Sequence, residues 1–169
     1  MSDATNPALN PANNPAIAAA AASGIPFEAR EHRRASSLAE AARMRGVTPR
    51  QIVKSMVVKD NTGTYRIVLM PGDRVISWPK LRGVLGVNKA AMPSADEAKE
   101  ITGFARGTIT PFGTKTALPV VADALVESGP ISLGGGAHSV ALYLKGDDLL
   151  AHFGAERLDI TEPDPHFAE

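Results

Sequence analysis

The 169-residue chain is 44% hydrophobic and 21% charged with a formal net charge of zero, which is typical of one globular domain with a substantial core. It contains no cysteine, which excludes a disulfide framework, a thiolate nucleophile and a thiolate metal site, and agrees with a reducing cytoplasmic location. No apolar run approaches the roughly 18 residues of a membrane-spanning helix, so no membrane partner is expected.

The zero net charge conceals an asymmetry along the chain. Residues 1–119 hold 16 Lys and Arg against 9 Asp and Glu, whereas residues 120–169 hold 2 against 9. Such a separation can present a basic face to a nucleic acid, or it can be a surface dipole without a partner.

The two ends of the chain differ from its middle in composition. Residues 1–24 are rich in Ala, Asn and Pro, and no Lys or Arg precedes Arg30, which excludes the basic start of a secretory signal peptide. We expect residues 1–24 to be a disordered leader whose removal leaves activity unchanged. The ordered domain is expected at 25–160, followed by a frayed acidic tail at 161–169.

Caps and glycine stops predict four helices. Ser-x-x-Glu capping boxes occur at Ser37–Glu40 and Ser94–Glu97, and a glycine commonly follows the last turn of a helix. The predicted helices run from Ser37 to Gly46, from Ser77 to Leu85, from Ser94 to Gly103 and, with Asp147 as the cap, from Asp147 to Gly154.

Strands are predicted where β-branched residues are frequent. Asp60–Gly63 is a favourable turn between two such runs, which predicts a hairpin. The predicted strands cover residues 51–59, 64–70, 118–122, 139–144 and 156–160. We therefore expect a mixed α/β (α+β) fold with a curved, largely antiparallel sheet.

A lysine interrupts the apolar strand at residues 51–58. Lys54 has apolar neighbours on both faces of this strand, where an ammonium group is costly to bury unless an anion or a hydrated pocket receives it. Lys54 is therefore either a pocket lysine or a lysine at a strand end or on an edge strand that extends to solvent.

Two glycine-containing loops are candidates for close backbone approach to a ligand. The segment Gly107–Gly113 also contains Pro111, and its amides can bind a carbonyl oxygen or an oxyanion. The alternative is a rigid connector. The second loop, Gly134–Gly136, precedes His138 and Ser139, where His138 is either a proton-transfer or hydroxyl-binding group or an ordinary surface histidine.

Other kinds of site find no support in the sequence. The remaining histidines lack metal-ligand spacing, so no metal is expected. No Gly-Lys-Ser/Thr ending follows the glycine loop, and no Gly-x-Ser-x-Gly elbow is present.

These motifs occur in a characteristic order along the chain. The order is His32, the helix start at Ser37–Glu40, Gly46-Val47, Gln51-Ile-Val-Lys54-Ser55, Pro71-Gly72-Asp73, Thr102-Gly103-Phe104, Gly107-x-x-x-Pro111-Phe112-Gly113, Leu118-Pro119-Val120 and the Gly134–Gly136 loop. Over residues 25–160 this resembles the YbaK-like aminoacyl-tRNA deacylases, which are related to the editing insertion of bacterial prolyl-tRNA synthetases.

The resemblance implies a partly closed sheet flanked by helices and hydrolysis of the ester of a mischarged tRNA, often tRNA(Pro), without a cofactor. It implies Lys54 and Gly107 as catalytic residues. The implied substrate-binding residues are His32, Pro111, Phe112, Gly113, Gly134, Gly135, Gly136, His138 and Ser139. The implied tRNA contacts are Arg45, Arg50, Lys80 and Lys115.

The closing loop departs from the pattern of the cysteine-specific members. They tend to carry charged residues there, followed by an aspartate, whereas Gly135, Gly136 and Ser139 stand at these places. This departure weakens a cysteine-specific assignment and leaves alanine, serine, threonine or another small amino acid open, while cysteine stays among the candidates. The alternative function is a non-catalytic module that binds a nucleotide or a tRNA end, or that docks on a synthetase.

Overall fold

A computed structural model describes residues 6–167, in which ten strands and five α-helices are mixed along the chain. The helices are α1 Pro15–Ser23, α2 Leu38–Arg45, α3 Trp78–Leu85, α4 Ala95–Thr102 and α5 Gly146–Phe153. The strands are β1 Glu28–Glu31, β2 Ile52–Asp60, β3 Tyr65–Pro71, β4 Arg74–Ile76, β5 Ala90–Ala91, β6 Val120–Asp123, β7 Pro130–Gly134, β8 Val140–Lys145, β9 Arg157–Leu158 and β10 Thr161–Pro163.

The main sheet is mixed and open. Its strand order is β1-β8-β7-β2-β3-β6-β9, and β5 pairs with the end of β2. The pairs β1–β8, β8–β7, β2–β3 and β2–β5 are antiparallel, whereas β2–β7, β3–β6 and β6–β9 are parallel. The predicted mixed α/β class with helices around the sheet is confirmed. The sheet does not close into a barrel, since β1 and β9 stand at opposite ends of this order.

The two faces of the sheet bury two separate cores. Side chains alternate between faces along a strand, so Ile67 and Leu69 of β3 belong to the larger core, whereas Val68 and Met70 belong to the smaller one. The larger core lies against α1 and α5, and the smaller one includes Leu81 of α3. The central strands β2 and β3 are therefore covered on both faces.

The predicted glycine stops are realised in all four predicted helices, since Gly154 after α5 is also left-handed, and the two serine caps of the capping boxes form. Ser37 and Ser94 accept hydrogen bonds from the backbone N–H groups of Glu40 and Glu97, and the glycines after α2, α3 and α4 adopt a left-handed conformation. The predicted cap at Asp147 is wrong. Helix α5 begins at Gly146, and the Asp147 carboxylate pairs with Arg157 at 2.8 Å.

The segment expected to be a disordered leader is ordered from Asn6 onward. Asn14 caps α1 through the backbone N–H of Ala16, and Pro15 occupies the first helical position, which favours helix initiation. Ala16, Ile17 and Ala20 form a stripe that is buried in the larger core. Alanine is the strongest helix former, and its small side chain allows close packing, so low sequence complexity here does not produce disorder. Residues 1–5 lie outside the described part.

The expected frayed tail is also partly ordered. Thr161–Pro163 forms β10, which pairs with β4, and Thr161 is buried. The backbone N–H of Asp164 donates to Asp73 O at 3.2 Å. Pairing of its backbone groups with β4 fixes this segment although its composition is polar. Among the described residues, no helix combines the length and apolarity needed to cross a membrane.

Candidate functional site

The site lies at an interruption along one edge of β2. This edge pairs with β7 through Ile52 and Val53 and with β5 through Lys59 and Asp60. Between these two ladders, the edge borders a cavity of about 650 Å³. The cavity is lined by Leu38, Arg45, Ile52, Val53, Lys54, Ser55, Met56, Val57, Met92, Pro93, Ala98, Arg106, Gly107, Ile109 and Gly134.

The orientation of β2 determines which backbone groups face this cavity. Ile52 O accepts from Gly72 N at 2.7 Å, so the backbone groups of Ile52 point toward β3. Backbone groups alternate in direction along a strand, and the register with β3 is regular from Val53 to Lys59. Ser55 and Val57 therefore turn their backbone N–H and C=O groups toward the interrupted edge.

Lys54 is partly buried in the cavity wall. Its Nζ donates to Arg74 O at 2.7 Å, which leaves further N–H donors for a ligand. Burial lowers the pKa of Lys54, and the negative charges of Asp164 and Asp73 oppose this effect. Lys54 thus lies in a pocket, not at an exposed strand end.

Ser55 was not singled out from the sequence, yet it also lines this cavity. Its Oγ is buried and has no hydrogen-bond partner among the described residues. An unsatisfied buried hydroxyl is uncommon and costly. Ser55 therefore places an unsatisfied buried hydroxyl in the strand that borders the cavity.

The two glycine loops meet beside the cavity. Gly136 N donates to Thr108 O at 3.0 Å, and a Cβ on Gly134 would lie 3.2 Å from Ile109 O. Gly107 has a φ of 88°, is exposed, and its N–H donates to no group within residues 6–167. Gly107 lines the cavity and has an amide without a partner in the described part of the chain, which is available to a carbonyl oxygen or an oxyanion.

A second cavity of about 580 Å³ shares Arg45, Arg106, Gly107 and Gly134 with the first. Its lining differs in chemistry, because it is basic and contains no acidic residue among those described. The further lining residues are His32, Arg33, Arg34, Ala35, Ala41, Met44, Ala137, His138, Ser139, Val140 and Ala141. The apolar cavity, which contains Lys54, and the basic cavity therefore adjoin. We call the residues that line both of them, Arg45, Arg106, Gly107 and Gly134, the common wall.

His32 and Arg45 belong to a polar network on one face of the sheet. His32 Nε2 hydrogen-bonds to the Tyr143 hydroxyl, and Arg45 donates to Ser132 Oγ at 3.2 Å. Burial, together with the positive charges of Arg45 and Arg30, lowers the pKa of His32. The neutral imidazole is thus favoured, which suits a positioning role better than that of a cation.

Ser139 is the one non-glycine residue in the described chain with a positive φ, 68°. The turn around it is closed by Val140 N donating to Ala137 O at 3.2 Å, and His32 N donates to Ser139 O at 2.7 Å. Such backbone strain persists only where the surroundings enforce it. The turn holds the exposed His138 and Ser139 at the rim of the basic cavity.

The structure places the end of the Gly107–Gly113 loop in the core, away from both cavities. Phe112 is fully buried and packs edge-on against Phe153 with ring centroids 5.1 Å apart. Pro111 is buried, and a Cβ on Gly113 would lie 2.3 Å from Pro15 O. Neither Gly135 nor Gly136 lines a cavity; both pack below the surface of the loop. These five residues support the site and do not line it.

Of the four basic residues assigned to tRNA contacts, Arg45 alone lines a cavity of the site. Arg50 forms a bidentate pair with Asp73, with Nη2 to Oδ2 at 2.9 Å, and Lys80 Nζ lies 3.0 Å from Asp159 Oδ1. Lys115 is exposed beside Gly103.

Sequence reasoning missed three of the four arginines that line the basic cavity. Arg33, Arg34 and Arg106 have no local pattern that distinguishes them from other surface arginines. Their only signal is position, since Arg33 and Arg34 follow His32, and Arg106 directly precedes Gly107. No group of three or more His, Cys, Asp or Glu within the described residues is placed to hold a metal ion.

Comparisons with known proteins identify relatives of this chain. The chain is 34% identical over 92 residues to the proline–tRNA ligase of Trichlorobacter lovleyi, a match that covers 54% of this chain and 16% of the ligase. It is 24% identical over 132 residues to the candidate Cys-tRNA(Pro)/Cys-tRNA(Cys) deacylase EbsC of Enterococcus faecalis, which covers 78% of this chain and 79% of that protein. The chain thus spans a small part of the ligases but most of the free-standing relative.

A solved structure shows the same fold over most of the chain. The crystal structure of a candidate trans-editing enzyme for prolyl tRNA synthetase superposes with a TM-score of 0.79 at 27% sequence identity, covering 86% of this chain and 93% of that one. The family model described as the aminoacyl-tRNA editing domain matches residues 32–151. This range contains the lysine, the glycines and the arginines that line the two cavities. Because the match spans most of the chain, the chain belongs to the aminoacyl-tRNA editing domain family.

Proposed function

We propose that this protein is a trans-acting aminoacyl-tRNA deacylase that hydrolyses the ester of a mischarged tRNA, with tRNA(Pro) carrying alanine, cysteine, serine or threonine as its substrate. The observation that carries the proposal is the common wall of the two cavities. The free amide of Gly107 lies in this wall, and Lys54 lies in the adjoining apolar cavity.

Charge decides how the substrate is oriented. The RNA end of an aminoacyl-tRNA carries phosphates, which favour the basic cavity. The small aminoacyl group then lies in the cavity lined by apolar side chains. This orientation brings the ester, which joins the two parts, to the wall at Gly107.

The reaction needs neither a metal nor a covalent nucleophile. Water attacks the ester carbonyl carbon, the bond to the ribose oxygen breaks, and a proton passes to that oxygen, so that the free amino acid and the tRNA are released. The Gly107 amide stabilises the negative charge that develops on the carbonyl oxygen. Lys54 orients the ester through the N–H donors that Arg74 O does not use.

The test is release of amino acid from tRNA(Pro) charged separately with alanine, cysteine, serine, threonine and proline. We expect hydrolysis of one or more mischarged species while prolyl-tRNA is spared. Lys54→Ala is expected to lower the rate about 100-fold with unchanged thermal unfolding. Lys59→Ala on the same strand is the matched control, because Lys59 is exposed and pairs with Glu97 at 3.0 Å.

Equal rates for Lys54→Ala and the parent protein would contradict the role of Lys54. No hydrolysis of any aminoacyl-tRNA, with binding of the RNA retained, would favour a non-catalytic binding module on the same fold.

A further inference from the structure

The basic cavity gathers four arginines that form no ion pair with the described residues, whereas the other arginines without one, Arg43, Arg74 and Arg82, do not line this cavity. Arg30, Arg50, Arg66 and Arg157 each form an ion pair with a carboxylate. Within residues 6–167, no carboxylate pairs with any arginine that lines the basic cavity. These are Arg33, Arg34, Arg45 and Arg106.

Arg45 is the most enclosed of these four. It stands in the wall common to both cavities and is partly buried, whereas Arg33, Arg34 and Arg106 are exposed at the rim. Its hydrogen bond to Ser132 Oγ fixes one side of the guanidinium. Burial lowers the pKa of Arg45, with the Tyr143 hydroxyl opposing this effect.

A guanidinium without a counter-charge in such a position is costly unless a ligand supplies an anion. Its planar set of N–H donors matches the oxygens of a phosphate group. Three exposed arginines at the rim of the same cavity extend the positive field outward from Arg45. This arrangement fits a chain of phosphates better than a single carboxylate.

We propose that Arg45 and Arg106 bind the phosphodiester next to the 3′-terminal nucleoside of an RNA, and that Arg33 and Arg34 contact the phosphate before it. The inference rests on the proposed function for the identity of the RNA end. The phosphate pocket itself rests on the unpaired arginines alone. These arginines take the place of Arg50, Lys80 and Lys115 as the proposed phosphate contacts of the RNA end.

Binding of a 5′-fluorescein-labelled CpCpA trinucleotide, followed by fluorescence anisotropy, tests the pocket directly. Arg45→Gln is expected to weaken binding at least about 10-fold and to reduce the slope of log K against log salt by about 0.7 for each phosphate that the variant no longer neutralises. Arg106→Gln, at an exposed loop position, is expected to act in the same direction without affecting the fold. Arg43→Gln on the same helix is the control, since Arg43 is exposed and lines neither cavity.

A kinetic experiment separates phosphate binding from a general effect on the site. On 3′-O-aminoacyl-adenosine, which carries no phosphate, the loss of kcat/KM in Arg45→Gln and Arg106→Gln is expected to be several-fold smaller than on the matching aminoacyl-tRNA. The kcat/KM on the matching aminoacyl-tRNA is expected to fall about 10-fold, mainly through KM.

Two outcomes would overturn the proposal. One is CpCpA binding no tighter than adenosine in the parent protein, and the other is an equal loss on both substrates in the variants. If the parent hydrolyses no ester but binds CpCpA through Arg45, the phosphate pocket stands and the proposed deacylase activity fails. If the parent hydrolyses both substrates and Arg45→Gln changes neither rate, the proposed deacylase activity stands and the phosphate pocket fails.

Discussion

At the scale of single residues, Lys54 combines two properties that suit its proposed role of orienting an ester. It supplies positive charge in a mainly apolar cavity, and its position is fixed by the carbonyl of Arg74. The pKa of Lys54 is lowered by burial, so its ammonium form is lost at lower pH than that of an exposed lysine.

This shift predicts a pH profile. If the ammonium form acts on the substrate, kcat/KM falls as pH rises through the lowered pKa, on an alkaline limb that lies below the ordinary lysine value of 10.5. In Lys54→Arg the limb should disappear, because arginine does not lose its proton in this range. Rapid-quench deacylation rates measured across this pH range, with spontaneous ester hydrolysis subtracted, show whether the alkaline limb is present. A limb that persists in Lys54→Arg would assign it to another group.

Two glycines of one loop are expected to respond differently to alanine. Both have a positive φ, 88° at Gly107 and 73° at Gly113, but a Cβ at Gly107 meets no atom within 4 Å. Gly107→Ala should cost about 1 kcal/mol of stability and reduce turnover more strongly. Gly113→Ala adds a clash with Pro15 O at 2.3 Å and should cost about 2 kcal/mol or more.

Thermal unfolding and deacylation rates of the two variants, measured side by side, check this difference. Similar losses of stability in both would show that Gly107 serves as a rigid connector and not as an amide donor.

At the scale of elements, the N-terminal segment supports both loops of the site. The Asn14 side chain donates to Gly135 O and to Ala8 O, each at 2.8 Å, and caps α1. The backbone of Pro15 packs against Gly113. The expectation that residues 1–24 are dispensable therefore conflicts with the structure, and their deletion should reduce both stability and activity.

Asn14→Ala is the sharper test of this support. It removes three hydrogen bonds of a side chain that is 2% exposed, so we expect about 2 kcal/mol of destabilisation and a lower deacylation rate. Asn13→Ala, at an exposed position of the same segment, is the control. Wild-type activity and melting temperature in Asn14→Ala would show that the segment is accessory after all.

Elements with strong local signals were predictable, and those defined by distant partners were not. The β2–β3 hairpin and helices α2 to α4 agree with their caps and turns. Strand β7 was missed, because Pro130–Gly134 is short and is fixed by parallel pairing with β2 and antiparallel pairing with β8. The interruption along β2, on which the site depends, follows from where β7 ends and was therefore also hidden from the sequence.

At the scale of the whole molecule, the basic residues of the site come from three separated segments that converge on the basic cavity. The region after β1 supplies His32 to Arg34, α2 supplies Arg45, and the Gly107 loop supplies Arg106. The excess of basic residues before residue 120 was visible in the sequence. Which of them stay unpaired was not, since the ion pairs of Arg50 and Lys80 form only in the folded protein.

Global stability should depend on pH through the buried carboxylate of Asp60 at the β2–β3 hairpin. The hydroxyl of Thr62 and the guanidinium of Arg66 hold the pKa of Asp60 well below its usual range. A lowered folded-state pKa stabilises the fold above the unfolded value, about 4, and this contribution is lost as pH falls toward the folded-state value.

Asp60→Asn should therefore lower the melting temperature at pH 7, and the difference from the parent protein should narrow below about pH 4. Thermal unfolding of both proteins, followed by circular dichroism from pH 7 to below about pH 4, measures this difference in melting temperature. A difference that stays constant with pH would assign the effect to lost hydrogen-bond geometry and not to charge.

The interrupted edge of β2 has a consequence for how the site tolerates sequence drift. Ser55 and Val57 offer main-chain groups to the cavity, and main-chain groups are the same for every residue except proline. A saturation scan should therefore accept several apolar side chains at the buried Val57 and reject proline. A site built partly from backbone can therefore stay in place while the side chains around it change.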